Sequence, residues 1–328
     1  GAPLFHEQGP RPAGSARQRA MTEQSSVPVT ASRAGLAFRK VRDRVIEAGL
    51  LAAALVAVFT TLAIVVILVR ESLPFFDHVS IRDFLTDTMW TPLFAEARYG
   101  ILPLVAGTLV TTLVALAVAI PCGTIIAIYL SEFAPFRLRE TIKPALELLG
   151  AVPTVVYGYF ALMIVTPLLQ KLIPGLPGFN MLSAGLVIGI MIIPYVASVS
   201  EDAMRAVPNY MREGSYAMGA TRFQTSTRVV VPGALSGIAA AYILGISRAV
   251  GETMVVAVAA GLQPNLTWDP TQPAATITAF IVQVSLGDLP HDSIGYQSIF
   301  AAGLVLMLIT LCFNIAGFTL TRRFREAY

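Results

Sequence analysis

Ionisable side chains are scarce in this chain. Asp, Glu, Lys and Arg make up 13% of its 328 residues, against about 25% in an average soluble domain. Long stretches, Gly49 to Val69 and Gly303 to Leu320 among them, contain no charged residue at all, which excludes a water-facing surface there and makes lipid the solvent. Cysteine is scarce too: Cys122 and Cys312 both fall inside apolar runs. No disulfide framework or metal cluster follows from them, and both are expected to be packing residues. The three histidines, His6, His78 and His291, have no metal-ligand spacing, so a metalloenzyme has no support. The lysines Lys40, Lys143 and Lys171 follow Arg39, Ile142 and Gln170, so the chain has no Gly-Lys-Ser/Thr phosphate loop. Neither ATP hydrolysis nor a nucleophile–base pair at membrane depth is expected of it, and it shows no convincing internal repeat.

What is present is apolar: 55% of the residues are hydrophobic and the mean hydropathy is +0.69. Runs of about 20 apolar residues cross a hydrocarbon core of about 30 Å at 1.5 Å per residue. Six qualify, 46–69, 101–130, 146–169, 181–199, 234–262 and 297–321, and predict an all-α integral membrane protein. Residues 1–44 are rich in Pro, Gly, Ser, Gln and Arg and are expected to form a disordered basic tail, having too little apolar surface to offset ordering entropy. Met21 is one candidate for the natural start, with residues 1–20 an upstream extension. Residues 45–325 form the expected membrane domain. The run Ala274 to Leu286 is too short to span and reads as a surface or re-entrant helix.

Orientation follows from where the positive residues lie. With the N-terminus inside, only Arg70, Arg82, Arg98 and Lys171 of the 23 basic residues fall in outer loops, and Arg248 lies within a span. This asymmetry predicts cytoplasmic N- and C-termini. Trp90 and Trp268 then occupy outer segments, either as interfacial anchors or as ordinary loop residues.

Between the fourth and fifth spans lies a polar loop, 200–232, with Arg-Glu-Gly-Ser-Tyr-Ala-Met-Gly-Ala-Thr-Arg from Arg212 to Arg222 and Val-Val-Val-Pro from Val229 to Pro232. Pro208 breaks the chain, Tyr210 to Met218 can form a short helix, and Gly219 permits a tight exit turn. Small residues at Gly214, Ser215, Ala217 and Ala220 let another protein surface approach. The spacing of Glu213, Gly219 and Pro232 resembles the EAA loop of ABC importer permeases, with Gly214-Ser215 where that pattern has two alanines. The resemblance implies a coupling helix gripped by a separate ATPase through Tyr210, Arg212, Glu213, Gly214, Ser215, Ala217, Gly219, Ala220 and Thr221.

The fifth span carries two opposite charges, Arg248 and Glu252, in Ser-Arg-Ala-Val-Gly-Glu-Thr-Met. Counted from Ala234, Arg248 lies about 21 Å along the helix, where a charge costs roughly 2.5–3.5 kcal/mol and normally faces protein or an aqueous path. Four residues apart, the two share a face and lie within pairing reach. Two readings stay open: Arg248 receives a tetrahedral oxyanion bidentately, or the pair simply neutralises itself as a structural or gating salt bridge.

The run Arg248 to Met254 resembles the signature of phosphate ABC transporter permeases of the PstC type. Ala127 to Pro135, Pro153 to Gly158 and Glu213 to Thr221 agree with it, and the likeness covers about residues 45–325. It implies a type I ABC importer permease fold, six transmembrane helices of which the first is an N-terminal extra helix, in a bacterial inner membrane. It also implies Arg248 and Glu252 as pathway residues. The expected partners are a PstA-type permease, two PstB-type ATPase subunits that hold ATP and magnesium, a PstS-type phosphate-binding protein, phosphate and the lipid bilayer, with no nucleic acid and no cofactor on this chain. Other oxyanions, sulfate or molybdate, are the alternative within the class, and an ion-coupled secondary transporter is the alternative outside it. Pro153 and Gly158 read either as a functional helix break or as tolerated kinks, and Glu132 and Pro135 mark the inner end of the second span.

Overall fold

A chain embedded in lipid must satisfy its backbone hydrogen bonds within each segment, and helix is the economical way to do so. The computed structural model describes residues 33–323 except 93, 95, 291 and 292, with side chains from 42 onward apart from those of 288, 320 and 323. All of the named elements among these residues are helices. Five are long and apolar enough to cross a membrane, and a sixth follows if the bent pair Arg222–Gly233 and Leu235–Val250, 72° apart, is one span.

The first helix, Arg33–His78, begins ahead of the apolar run at Ile46. After Pro28 the next proline is Pro74, and good helix formers such as Leu36, Arg39 and Lys40 carry the helix back into the basic segment. Residues 1–32, most of the expected tail, lie outside the described residues. The chain divides into two compact units, 1–64 and 65–328. In the first, Leu50, Leu51, Val56, Phe59 and Leu62 are exposed, as lipid contact requires.

In the second unit, Leu102–Ile128 and Met181–Arg205 form the centre. Glycines let them meet backbone to backbone. A Cβ on Gly185 would lie 2.7 Å from the Val114 Cβ and 3.0 Å from the Thr111 carbonyl oxygen, and one on Gly189 would lie 2.7 Å from the Ala115 oxygen. Gly185-Leu-Val-Ile-Gly189 is thus a small-xxx-small seam, the usual way for membrane helices to gain close packing. The core around it contains Ala115, Ala119, Ile188, Met191, Ile192 and Val255.

Two spans differ from expectation. The third starts at Thr154, not at Leu146, because Val152 and Pro153 are extended and separate it from the preceding helix Phe136–Ala151. Pro153 lacks a backbone donor and restricts the residue before it, so the helix stops there. Gly158 beyond the break is a close-approach position: a Cβ there would lie 3.2 Å from the Met254 carbonyl oxygen. The fifth span stops at Val250 and resumes as the short helix Met254–Ala259.

The run after Ala274 forms the short helix Ile277–Gln283, with the Ile277 amide donating to Thr108 Oγ1. Trp90 is only 1% exposed, edge-on to Phe280 at 4.9 Å and to Phe84 at 6.3 Å. It is a core residue of an aromatic cluster and not an interfacial anchor, whereas Trp268 is exposed. Cys122 and Cys312 are exposed free thiols on this chain, contrary to the expectation of packing.

Candidate functional site

The short helix of the 200–232 loop runs over Asn209–Ala217, one residue displaced at each end from expectation. Pro208 supplies its extended start. Gly219 supplies its exit, with φ +83, a conformation only glycine adopts without penalty. The turn is closed by the Gly219 amide donating to the Tyr216 oxygen at 2.9 Å and the Ala220 amide to the Ser215 oxygen at 3.2 Å. Thr221 then opens the next helix with a reciprocal cap to Gln224.

The residues expected to face a motor divide into two groups. Tyr210, Glu213, Gly214, Ala217, Gly219 and Thr221 are exposed. Arg212 turns to its own chain. Its Nη2 and Nε donate to Glu132 Oε1 and Oε2 at 2.9 and 3.3 Å. Nη1 donates to the Val207 oxygen at 2.6 Å and Nη2 also to the Met204 oxygen at 2.8 Å. Ser215 Oγ lies 2.9 Å from Thr225 Oγ1, and Ala220 is half-buried. Glu132 is therefore more than a boundary marker. It sits in a π-helical turn, Tyr129–Phe133, that extends the second span, and it holds the short helix down. The exposed face also presents Tyr216, Phe223 and Met218, the last 88% exposed. Attention to small residues passes over these large apolar side chains, though their presence in a polar segment is itself a docking signal.

Beside this helix lies a cavity of about 700 Å³, lined by Arg205, Arg212, Arg222, Asn209 and Tyr216 together with Ser131 to Pro135. A second charged cluster clamps the Phe136–Ala151 helix to the Met181–Arg205 helix. Lys143 Nζ is 2.7 Å from Glu201 Oε2 and 2.6 Å from Asp202 Oδ1, and Arg205 Nη1 is 3.6 Å from Glu201 Oε1. Burial works against the charged amine, but hydrogen bonds to Asp202 and Glu201 outweigh it and hold the Lys143 pKa above its ordinary value. The sequence carried no hint of the link between the two helices, because Lys143 lies 58 and 59 residues from Glu201 and Asp202.

Within the fifth span the structure separates the two charges that their spacing placed within pairing reach. The helix ends at Gly251, with φ −87 and ψ 0, so the four-residue register breaks between Arg248 and Glu252. Glu252 Oε1 accepts from the Met254 and Val255 amides at 3.2 and 3.3 Å, capping the short helix that follows. Its carbonyl oxygen accepts from Thr278 Oγ1 at 2.7 Å. Glu252 thus satisfies the broken backbone and is not a partner of Arg248. The Arg248 guanidinium carbon lies 4.4 Å from the centre of the Tyr195 ring. Its Nε is buried without a hydrogen-bond partner, and no ion pair to it occurs among the described residues. Among the described residues there is also no group of three or more His, Cys, Asp or Glu placed to hold a metal ion.

Residues 119–326 match the family described as "Binding-protein-dependent transport system inner membrane component". The chain is 34% identical over 284 residues to a probable ABC transporter permease protein, YqgH, of Bacillus subtilis, covering 86% of this chain and 91% of that one. It is 34% identical over 262 residues to the phosphate transport system permease protein PstC of Mesorhizobium japonicum, covering 73% of this chain and 78% of that one. Among solved structures, a chain of the bacterial alginate ABC transporter in complex with its alginate-bound periplasmic protein superposes with a TM-score of 0.60, at 16% identity over 86% of this chain and 95% of that one. A chain of the inward-facing MetNI methionine ABC transporter gives 0.51 at 18% identity, over 69% and 95%. At those identities the likeness is one of fold. The broken helices, the exposed short helix on its glycine turn and the match over most of the sequence agree: this chain is a multi-pass inner-membrane ABC importer permease of type I fold and belongs to the binding-protein-dependent transport system inner membrane component family.

Proposed function

We propose that this chain is the PstC-type subunit of an ATP-driven phosphate importer, forming the translocation pathway with a PstA-type permease and working with two PstB-type ATPases and a PstS-type phosphate-binding protein. The phosphate assignment draws support from the PstC relatives at 34–36% identity. The observation that carries the pathway reading is Arg248, a cation within a span that forms no ion pair with a carboxylate among the described residues and whose Nε is buried without a hydrogen-bond partner. An arginine there without a countercharge is expensive, and its planar donors match a tetrahedral oxyanion. Glu252, as a cap, shapes the break beside it.

In this reading the termini and the Asn209–Ala217 helix are cytoplasmic, supported by the distribution of basic residues. ATP-driven closure of the motors moves that helix, Arg212 transmits the motion to the ends of the second and fourth spans, and the bundle changes the side to which Arg248 is open. Tight capture in the permease is unnecessary, since the binding protein selects the ion. The test is reconstitution of the full complex in proteoliposomes. Uptake of labelled phosphate should require internal ATP and external binding protein, and phosphate-loaded binding protein should stimulate ATPase activity where sulfate and molybdate do not. Gradient-driven uptake by this chain alone would refute the reading.

A further inference from the structure

Arg248 is held at membrane depth by a ring and not by a charge. Tyr195 follows Pro194 within the Met181–Arg205 helix and sets its ring 4.4 Å from the Arg248 guanidinium carbon. Its hydroxyl donates to the Gly150 carbonyl oxygen at 3.1 Å. The fit there is close, because a Cβ on Gly150 would lie 3.2 Å from that hydroxyl. The ring is thereby anchored at its far end to the last turn of the Phe136–Ala151 helix, where Tyr157 also donates to the Leu149 oxygen at 2.7 Å.

The chemistry distinguishes a ring from a carboxylate. A carboxylate beside Arg248 would take the N–H donors of the fork and cancel its charge. An aromatic face attracts the cation through its quadrupole and leaves the N–H edges open. The one carboxylate close in sequence, Glu252, is occupied by the Met254 and Val255 amides.

We propose that Tyr195 is a positioning residue of the translocation pathway: its ring holds the Arg248 guanidinium in place without neutralising it, so that the fork stays available to a tetrahedral oxyanion. This rests on the assignment of Arg248 to the pathway. It adds a residue that the sequence gives no reason to single out, since Tyr195 lies 53 positions away and becomes a neighbour only when the two helices pack.

The test uses the complete transporter in proteoliposomes, with uptake of labelled phosphate expressed per assembled complex. Tyr195→Phe keeps the ring and should retain uptake within about twofold. Tyr195→Met keeps apolar bulk without a ring, and kcat/KM should fall about ten- to thirtyfold, the equivalent of a desolvated cation–π contact. Progressively fluorinated phenylalanines at position 195 drain the ring face at nearly constant volume, so they probe the contact even if the Met variant assembles poorly. Uptake should fall with each added fluorine. In an Arg248→Gln background the Tyr195→Met change should add less than about twofold, because its target is gone.

Full uptake by the Met variant, indifference to fluorination, or losses that multiply in the double variant would overturn the proposal. Loss in the Phe variant equal to that in Met would overturn it too, because the hydroxyl tie to Gly150 would then be the working element. Failure of the underlying pathway assignment shows separately, as undiminished uptake by Arg248→Gln alone.

Discussion

Removing the Arg212 side chain, by Arg212→Ala, attacks the joint between the Asn209–Ala217 helix and the rest of the chain. Arg212 donates to both oxygens of Glu132 and to two backbone carbonyls, and the two side chains are only 14% and 5% exposed. Stripping one partner from a buried ion pair costs about 3–5 kcal/mol, mostly through the stranded charge. Even at about 3 kcal/mol, the opening equilibrium of the short helix rises roughly a hundredfold. Hydrogen exchange of the 209–217 amides in the nucleotide-free complex should accelerate by that factor, while amides in the centre of the Met181–Arg205 helix hold their rates. ATP hydrolysis should continue with less phosphate moved per ATP. Glu132→Ala added to Arg212→Ala should recover much of the protection, since the stranded carboxylate is removed with its partner. Unchanged exchange in the single variant, or purely additive losses in the double, would refute the role given to this joint.

Three further outcomes follow from the same geometry. Lys143→Met leaves Glu201, whose side chain is 0% exposed, with only the longer 3.6 Å contact to Arg205, and should lower the thermal midpoint of the purified complex, with Glu201→Gln restoring part of it. Because the folded pKa of Lys143 is raised, its contribution is complete below the unfolded value of 10.5 and is lost as pH climbs through the folded value. The advantage of wild type over Lys143→Met should therefore stay constant up to about pH 9 and shrink only in strong alkali. Gly219→Val places a β-branched residue at φ +83, a strain of about 1–2 kcal/mol or more, and should uncouple hydrolysis from uptake while the ATPase still co-purifies weakly. Gly185→Val drives new methyl groups into Val114 and the Thr111 carbonyl. Overpacking of about 1–3 kcal/mol should reduce the yield of assembled complex without altering kcat per complex.

Periodicity and run length made the membrane spans legible in the sequence, because lipid demands about 20 apolar residues whatever the fold. The glycine exit at Gly219 was legible as well, since a single residue type meets that backbone demand. The break at Glu252 was not. Four-residue spacing implies a shared helical face only if the helix continues, and Gly251 ends it. Through the same kind of break, residues assigned to the third span, Leu146 to Ala151, belong to a separate amphipathic helix, and Pro153 was the visible sign. Tyr195, Glu132, Lys143 and Glu201 became functional or structural partners through packing between segments many residues apart, which no local pattern reports. Gly185 and Gly189 also gain their meaning from packing: they stand where the Met181–Arg205 helix approaches the Leu102–Ile128 backbone closely.

The most direct measurement is phosphate flux through the complete transporter carrying Arg248→Gln, with assembly and ATPase activity measured in the same vesicles. Loss of one charged hydrogen-bonding fork should lower uptake by about ten- to a hundredfold, with subunit stoichiometry unchanged and basal hydrolysis intact. Wild-type flux through that variant would contradict the account, because it would show Arg248 to have no part in moving the ion.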